Sequence, residues 1–115
     1  MEYDLDDVEK EYLASCRKQE RQMRGMWLSA IEYSPKLARY CPCLNDFTPT
    51  EWSILLSHDA SFINIAPIHR FSINDWYWVL LYQAELADLC PCLKEFSLKQ
   101  KKYLLKNQPQ LADRL

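Results

Sequence analysis

Two Cys-Pro-Cys motifs are the clearest candidates for metal chemistry in this sequence. The motifs Cys41–Cys43 and Cys90–Cys92 together supply four thiols, and four thiolates hold zinc when all of them reach one ion at about 2.3 Å. The motifs lie 49 residues apart, and Ala66 and Ile68 stand at the equivalent positions between them. Cysteines that exchange with alanine and isoleucine behave as small buried hydrophobic residues. We therefore expect structural cysteines and no metal site.

No combination of residues indicates catalysis. His58 and His69 are the 2 histidines of the chain, and neither accompanies a cysteine or serine motif typical of a nucleophilic enzyme. The carboxylates are scattered, without a pair spaced for acid–base work. A single glycine also excludes a glycine-rich nucleotide loop. We expect a protein that is not an enzyme and needs no cofactor. A small metal-binding enzyme would require the two Cys-Pro-Cys motifs to meet.

The C-terminal end is basic although the whole chain has a net charge of only −2. That balance gives no general attraction to nucleic acid or to a membrane surface. Lysines with a neighbouring tyrosine could nevertheless contact a nucleic-acid backbone. A solvated terminal helix explains the same charges. The candidate anion-binding residues are Lys99, Lys101, Lys102 and Lys106, beside Tyr103.

A period of 24–25 residues organises the chain. Trp27, Trp52, Trp76 and Lys101 occupy equivalent positions, at steps of 25, 24 and 25 residues. A fixed period in this range is typical of repeat proteins. Each copy predicts a helix of about three turns, a tight turn and a second helix of one to two turns. The first helices should end near Ser34, Asp59, Gln83 and Asn107.

Capping residues predict where the first helices begin. A Ser or Thr side chain can accept a hydrogen bond from an amide of the first turn, and an acidic or amide residue three positions later can complete a capping box. In each helix, the tryptophan position and the residues three and four positions later lie on the same face, which we expect to pack in the core. The expected capping pairs are Thr48/Glu51, Ser72/Asp75 and Ser97/Gln100.

The sequence predicts an all-α fold, a short α-solenoid-like array of 24–25-residue helix-pair repeats behind a long N-terminal helix. Residues 4–33 should form one long helix, or two that join at Gly25. Terminal repeats need polar outer faces, and the middle copies, with Trp52, Trp76 and Trp78, should be the most buried. One domain, 1–115, is expected to contain an N-terminal capping helix (1–25), a degenerate repeat (26–46), two full repeats (47–70 and 71–95) and a C-terminal capping repeat (96–115).

The repeat pattern is approximately W-x-x-L-L-x-x-Q-P-x-L/F-A-x-x-C, and KYLLKNQPQLADRL and DWYWVLLYQAELADLC carry it best. It resembles the repeat of uncharacterised bacterial short tandem-repeat proteins, over about residues 26–115. This resemblance implies a helical repeat architecture. It implies no catalytic or binding residue.

Positions two and six residues after the tryptophan position form a flank rich in aromatic groups. Such residues suit a partner-binding surface if they face solvent. Alternatively, they pack between first and second helices or beneath the N-terminal helix. The candidate partner-binding residues are Tyr33, His58, Trp78, Tyr82 and Tyr103. We expect a non-catalytic protein–protein interaction or scaffold module. The alternative is a nucleic-acid-binding regulator that uses the basic C-terminal repeat.

Localisation follows from three features of the sequence. No apolar run reaches the ~18 residues of a membrane span. The acidic start MEYDLDDVEKEY lacks the apolar core of a signal peptide. Five cysteines, an odd number, indicate free thiols in a reducing compartment. We therefore expect a cytoplasmic protein outside the membrane.

Overall fold

The computed structural model describes residues 4–18 and 24–115, and these residues form helices and connecting turns without a β-strand. The prediction of an all-α fold is confirmed. The chain divides into two compact parts, an N-terminal part that ends at Phe47 and a C-terminal part, Thr48–Leu115. The α-helices are α1 (Asp7–Arg17), α2 (Arg24–Tyr33), α3 (Pro49–His58), α4 (Ile73–Tyr82) and α5 (Leu98–Asn107).

Helices α2 to α5 recur with the spacing found in the sequence. Their first residues are 25, 24 and 25 positions apart. A short 3₁₀ helix follows each of them, at Pro35–Tyr40, Ala60–Asn64, Ala84–Leu89 and Pro109–Leu111. The expected second helix of each copy is therefore a 3₁₀ helix. These 3₁₀ helices are 3–6 residues long, and the two of six residues exceed the usual length of this tighter form.

The predicted helix starts are confirmed by reciprocal hydrogen bonds. At α4, the amide of Asp75 donates to Ser72 Oγ at 3.1 Å, and the amide of Ser72 donates to Asp75 Oδ2 at 3.0 Å. The same box forms at α3 and at α5. The Phe71 ring, just before the cap, meets the edge of the Trp76 ring at a centroid distance of 5.4 Å. This contact is a hydrophobic staple, between the residue before the cap and the fourth residue of the helix.

The prediction of one long helix over residues 4–33 is wrong. Helix α1 ends at Arg17, α2 begins at Arg24, and Gly25 lies inside α2 instead of joining two helices. Residues 19–23 lie outside the described part of the chain. In a straight helix, positions 9 and 34 would be about 37 Å apart. Here the Ser34 hydroxyl donates to the Glu9 carboxylate, so α1 must fold back on the end of α2.

Glu9 is the buried polar centre of the N-terminal part, at 4% exposure. Its carboxylate also accepts the amide of Asp6 at 2.8 Å, and Lys36 Nζ lies 3.8 Å away. The Ser34 hydrogen bond, helped by the Asp6 amide, lowers the pKa of Glu9 against the opposing effect of burial. A charged carboxylate with these donors stabilises the fold of this part.

Two glutamines join successive helices in the C-terminal part. Gln83, just after α4, donates through Nε2 to the carbonyl of Ser57 in α3 at 3.0 Å. Gln108, just after α5, donates in the same way to the carbonyl of Leu81 in α4 at 2.8 Å. Carbonyl groups in the last turn of a helix have no partner within that helix. Each glutamine therefore satisfies the end of the preceding helix, which explains a Gln at this position of the sequence pattern.

The predicted core face is confirmed for the first helices. The apolar pairs three and four residues after the tryptophan position include Ala30/Ile31, Leu55/Leu56 and Val79/Leu80, which are fully buried, and Trp76 is 1% exposed. The prediction that Trp78 is among the most buried residues is wrong, because 41% of it is exposed. Two residues correspond to about 200° around a helix, so Trp78 lies away from the face that buries Trp76.

Candidate functional site

The candidate partner-binding residues are exposed in the structure. Their exposure is 49% for Tyr33, 41% for Trp78, 56% for Tyr82 and 50% for Tyr103, and His58 is exposed as well. The alternative of a buried stripe is therefore wrong. Tyr33 belongs to the N-terminal part, where its ring stacks on Tyr12 of α1 at 4.8 Å. The other residues belong to the C-terminal part.

Trp78 and Tyr82 form what we call the aromatic patch on α4. They are one helical turn apart, and their ring centroids are separated by 5.3 Å. The Trp78 Nε1 atom donates to Ser57 Oγ at 3.1 Å, and that hydroxyl donates in turn to the carbonyl of Ile54 at 2.6 Å. The indole is therefore held in one orientation while much of its face remains in solvent.

A second surface feature is the basic cleft between α4 and α5. It has a volume of about 560 Å³ and mostly apolar walls. Among the predicted anion-binding residues, three line this cleft, and half-buried Lys101 does not. The structure thus separates Lys101 from the other lysines. The lining residues are Tyr77, Lys99, Gln100, Lys102, Tyr103 and Lys106.

Tyr77 is a residue of the basic cleft that the sequence analysis did not identify. Its ring is half-buried, 6.2 Å from the ring of Phe96 and 6.4 Å from that of Tyr103. Burial, and then the nearby Tyr103 hydroxyl, raise the pKa of Tyr77. A signal was present in the sequence, since Tyr77 directly follows a buried tryptophan and lies on the flank that meets the next helix.

The equivalent cleft between α3 and α4 has different chemistry. We call it the polar cleft; it has a volume of about 490 Å³, and its lining includes Thr50, Asn74 and Asp75. Asp75 is buried, and its Oδ1 accepts the Thr50 hydroxyl at 3.0 Å. Gln100 Nε2 donates to Asn74 Oδ1 at 3.2 Å, so one hydrogen bond joins the walls of the two clefts.

The cysteine motifs have the same geometry in both parts of the chain. Within Cys41–Cys43 and within Cys90–Cys92, the two Sγ atoms are 3.5 Å apart and buried. Burial raises the pKa of Cys41 and that of Cys90 to about 12, which keeps these thiols neutral at physiological pH. In the described ranges, 4–18 and 24–115, no three candidate metal ligands come together.

No protein-family model, curated protein or solved structure matches this chain. Within the part of the chain that the structure describes, none of the helices is long and apolar enough to cross a membrane.

Proposed function

We propose that this protein is a non-catalytic interaction or scaffold module of the short helical-repeat class, with another protein as its partner. The recurrence of helix starts and the equivalent Gln83 and Gln108 hydrogen bonds support an α-solenoid-like array. All five cysteines are free and buried, which supports a cytoplasmic location. The observation that carries the proposal is the aromatic patch, with two large rings exposed on a helix that buries Trp76, Val79 and Leu80 on another face.

The aromatic patch has the properties of a binding surface. Tryptophan and tyrosine are enriched among the residues that dominate binding energies, because one side chain offers a large apolar area and a polar tip. Ordering side chains on binding costs about 0.5–1.5 kcal/mol for each one. Because Ser57 already fixes the Trp78 indole, less of that cost remains when a partner docks.

Affinity capture from the cells that make this protein tests the proposal. The bait would be the wild-type chain or the double variant Trp78→Ser, Tyr82→Ser. A matched control would change two exposed residues elsewhere in the C-terminal part, Glu85→Ser and Lys94→Ser. We expect a protein that is retained by the wild type and the control and lost with the patch variant. Equal retention by all three baits would contradict a partner site at the aromatic patch.

A nucleic-acid-binding regulator is the second candidate function. The observation that favours it is the basic cleft, which Lys99, Lys102 and Lys106 line together with Tyr103. Lysines neutralise backbone phosphates, and a tyrosine ring can stack on a base. Retention on a phosphate matrix that falls with salt and is abolished by Lys102→Glu would support this function. If the protein is not retained at any salt concentration, nucleic-acid binding through the basic cleft is excluded.

A further inference from the structure

We infer that the basic cleft is a docking site for an acidic amphipathic helix of a partner protein. This inference rests on the proposed interaction function and specifies the chemistry of the partner. Three observations carry it: the spacing of the lysines, the aromatic apolar walls between them, and the change of chemistry at the neighbouring cleft.

The lysines of the cleft lie on one face of α5. Lys99, Lys102 and Lys106 have the spacing i, i+3 and i+7, which places them on adjacent turns. They span about 10.5 Å along the axis. None of the residues that line the cleft is acidic. A helix that carries Asp or Glu at the same spacing would therefore meet all three ammonium groups at once.

Tyrosines occupy the space between these charges. Tyr103 stands at i+4 of the lysine series and is half exposed, while the half-buried Tyr77 ring lies across the cleft on α4. Two neighbouring helices leave a groove between them, and an apolar ridge of a third helix can fill such a groove. The tyrosine-lined walls of the basic cleft would therefore favour an apolar side chain at the centre of the partner helix's acidic face.

The extent of the positive surface favours a protein partner over nucleic acid. Three lysines would neutralise about three phosphates, whereas proteins that bind DNA tightly contact about 6–10. One repeat away, the hydrogen bond between Gln100 and Asn74 marks the start of the polar cleft, which contains the buried Asp75 carboxylate. A phosphate backbone that ran across the helices from α5 toward α3 would approach this carboxylate, whereas a short acidic helix aligned with the lysines of α5 would stay in the basic cleft.

Fluorescence polarisation with designed peptides tests the inference. The main probe is an alanine-based helical peptide of about 15 residues, with glutamates at i, i+3 and i+7 and leucine at i+4. A second probe replaces the glutamates with lysines, and a third replaces only the leucine with alanine. A single-stranded oligothymidine of similar length tests the nucleic-acid alternative. We expect saturable binding of the main probe, weakening with salt, and no binding of the lysine probe.

Variants of the protein localise the binding. Charge reversal of Lys99 and Lys102 to glutamate should weaken binding of the main probe by about 4- to 25-fold, because each of the two exposed ion pairs contributes about two- to fivefold. Tyr103→Ala should weaken binding of the main probe but have little effect on the probe without leucine. Lys94→Glu makes the same charge change at an exposed residue that does not line the cleft, and it should leave affinity within about twofold. Circular dichroism and thermal melting of each variant establish that it folds.

Several results would overturn the inference. They are no saturable binding of the main probe to the folded protein, equal binding of the lysine probe, tighter binding of oligothymidine, and self-association that the Lys99 and Lys102 reversals abolish. These failures are distinguishable from failure of the proposed function. If a captured partner depends on Trp78 and Tyr82 but not on the lysines, the interaction module stands and the acidic-helix site is wrong.

Discussion

Replacing Gln83 with alanine should loosen the packing of α4 on α3. The substitution removes the Nε2 donor that lies 3.0 Å from the carbonyl of Ser57. A typical hydrogen bond contributes about 1 kcal/mol to stability, and a buried acceptor left without a partner costs about 1–3 kcal/mol. Ser57 is buried while Gln83 is half-buried, so water can replace the amide only in part. We therefore expect a loss of about 1–2 kcal/mol in the free energy of unfolding.

Urea titration and thermal melting would measure this loss. With an unfolding entropy of about 2.1 cal/mol/K per residue, the melting temperature of this chain should fall by about 4–8 °C. Gln83→Glu keeps the side-chain length but offers no N–H, so it should be at least as destabilising. Glu85→Ala, at an exposed neighbouring position, should remain within about 0.5 kcal/mol of the wild type. A Gln83→Ala variant as stable as this control would refute the role of the glutamine between successive helices.

Three further predictions concern the core, the buried carboxylate and the thiols. Trp76→Ala should cost about 3–5 kcal/mol in urea titrations, whereas Trp78→Ala should cost much less because that ring is half exposed; equal losses would contradict the assigned core face. The lowered pKa of Glu9 means that its stabilising effect is present above the ordinary glutamate pKa of about 4.3 and is lost as pH falls through the folded value. The stability difference between wild type and Glu9→Gln should accordingly shrink as pH is lowered from about 6 to about 3, and a constant difference would contradict this assignment. Iodoacetamide at pH 8 should alkylate Cys41 and Cys90 only after unfolding, and a chelator should not change the melting temperature; rapid native labelling or chelator-induced unfolding would contradict structural cysteines.

Local chemistry made the helix boundaries of this chain predictable. The capping pair Ser72/Asp75 and the staple between Phe71 and Trp76 act over three to five residues, so the sequence contains both partners of each contact. The 3.6-residue period likewise identifies the face that buries Leu55 and Leu56. These features depend only on neighbours within one or two turns.

Contacts between distant residues were not predictable in the same way. Nothing local requires α1 to pack against the end of α2, because the contact that joins them is between Glu9 and Ser34. The basic cleft also depends on the neighbouring helix, since Tyr77 contributes its ring from α4 while the lysines come from α5. Helical periodicity assigns Lys101 and Lys102 to different faces, but only the packing shows which face borders a cleft.

Site-specific photo-crosslinking in living cells tests the interaction module most directly. A photoreactive phenylalanine analogue would replace Tyr82 in the aromatic patch, and in a control chain it would replace Glu85, which is exposed just beyond α4. If the patch binds a partner protein, illumination should give a discrete adduct of higher mass from the Tyr82 position, diminished by Trp78→Ser, and none from the Glu85 position. The absence of an adduct at Tyr82, or equal adducts at both positions, would contradict the proposal that this protein acts through its exposed aromatic patch.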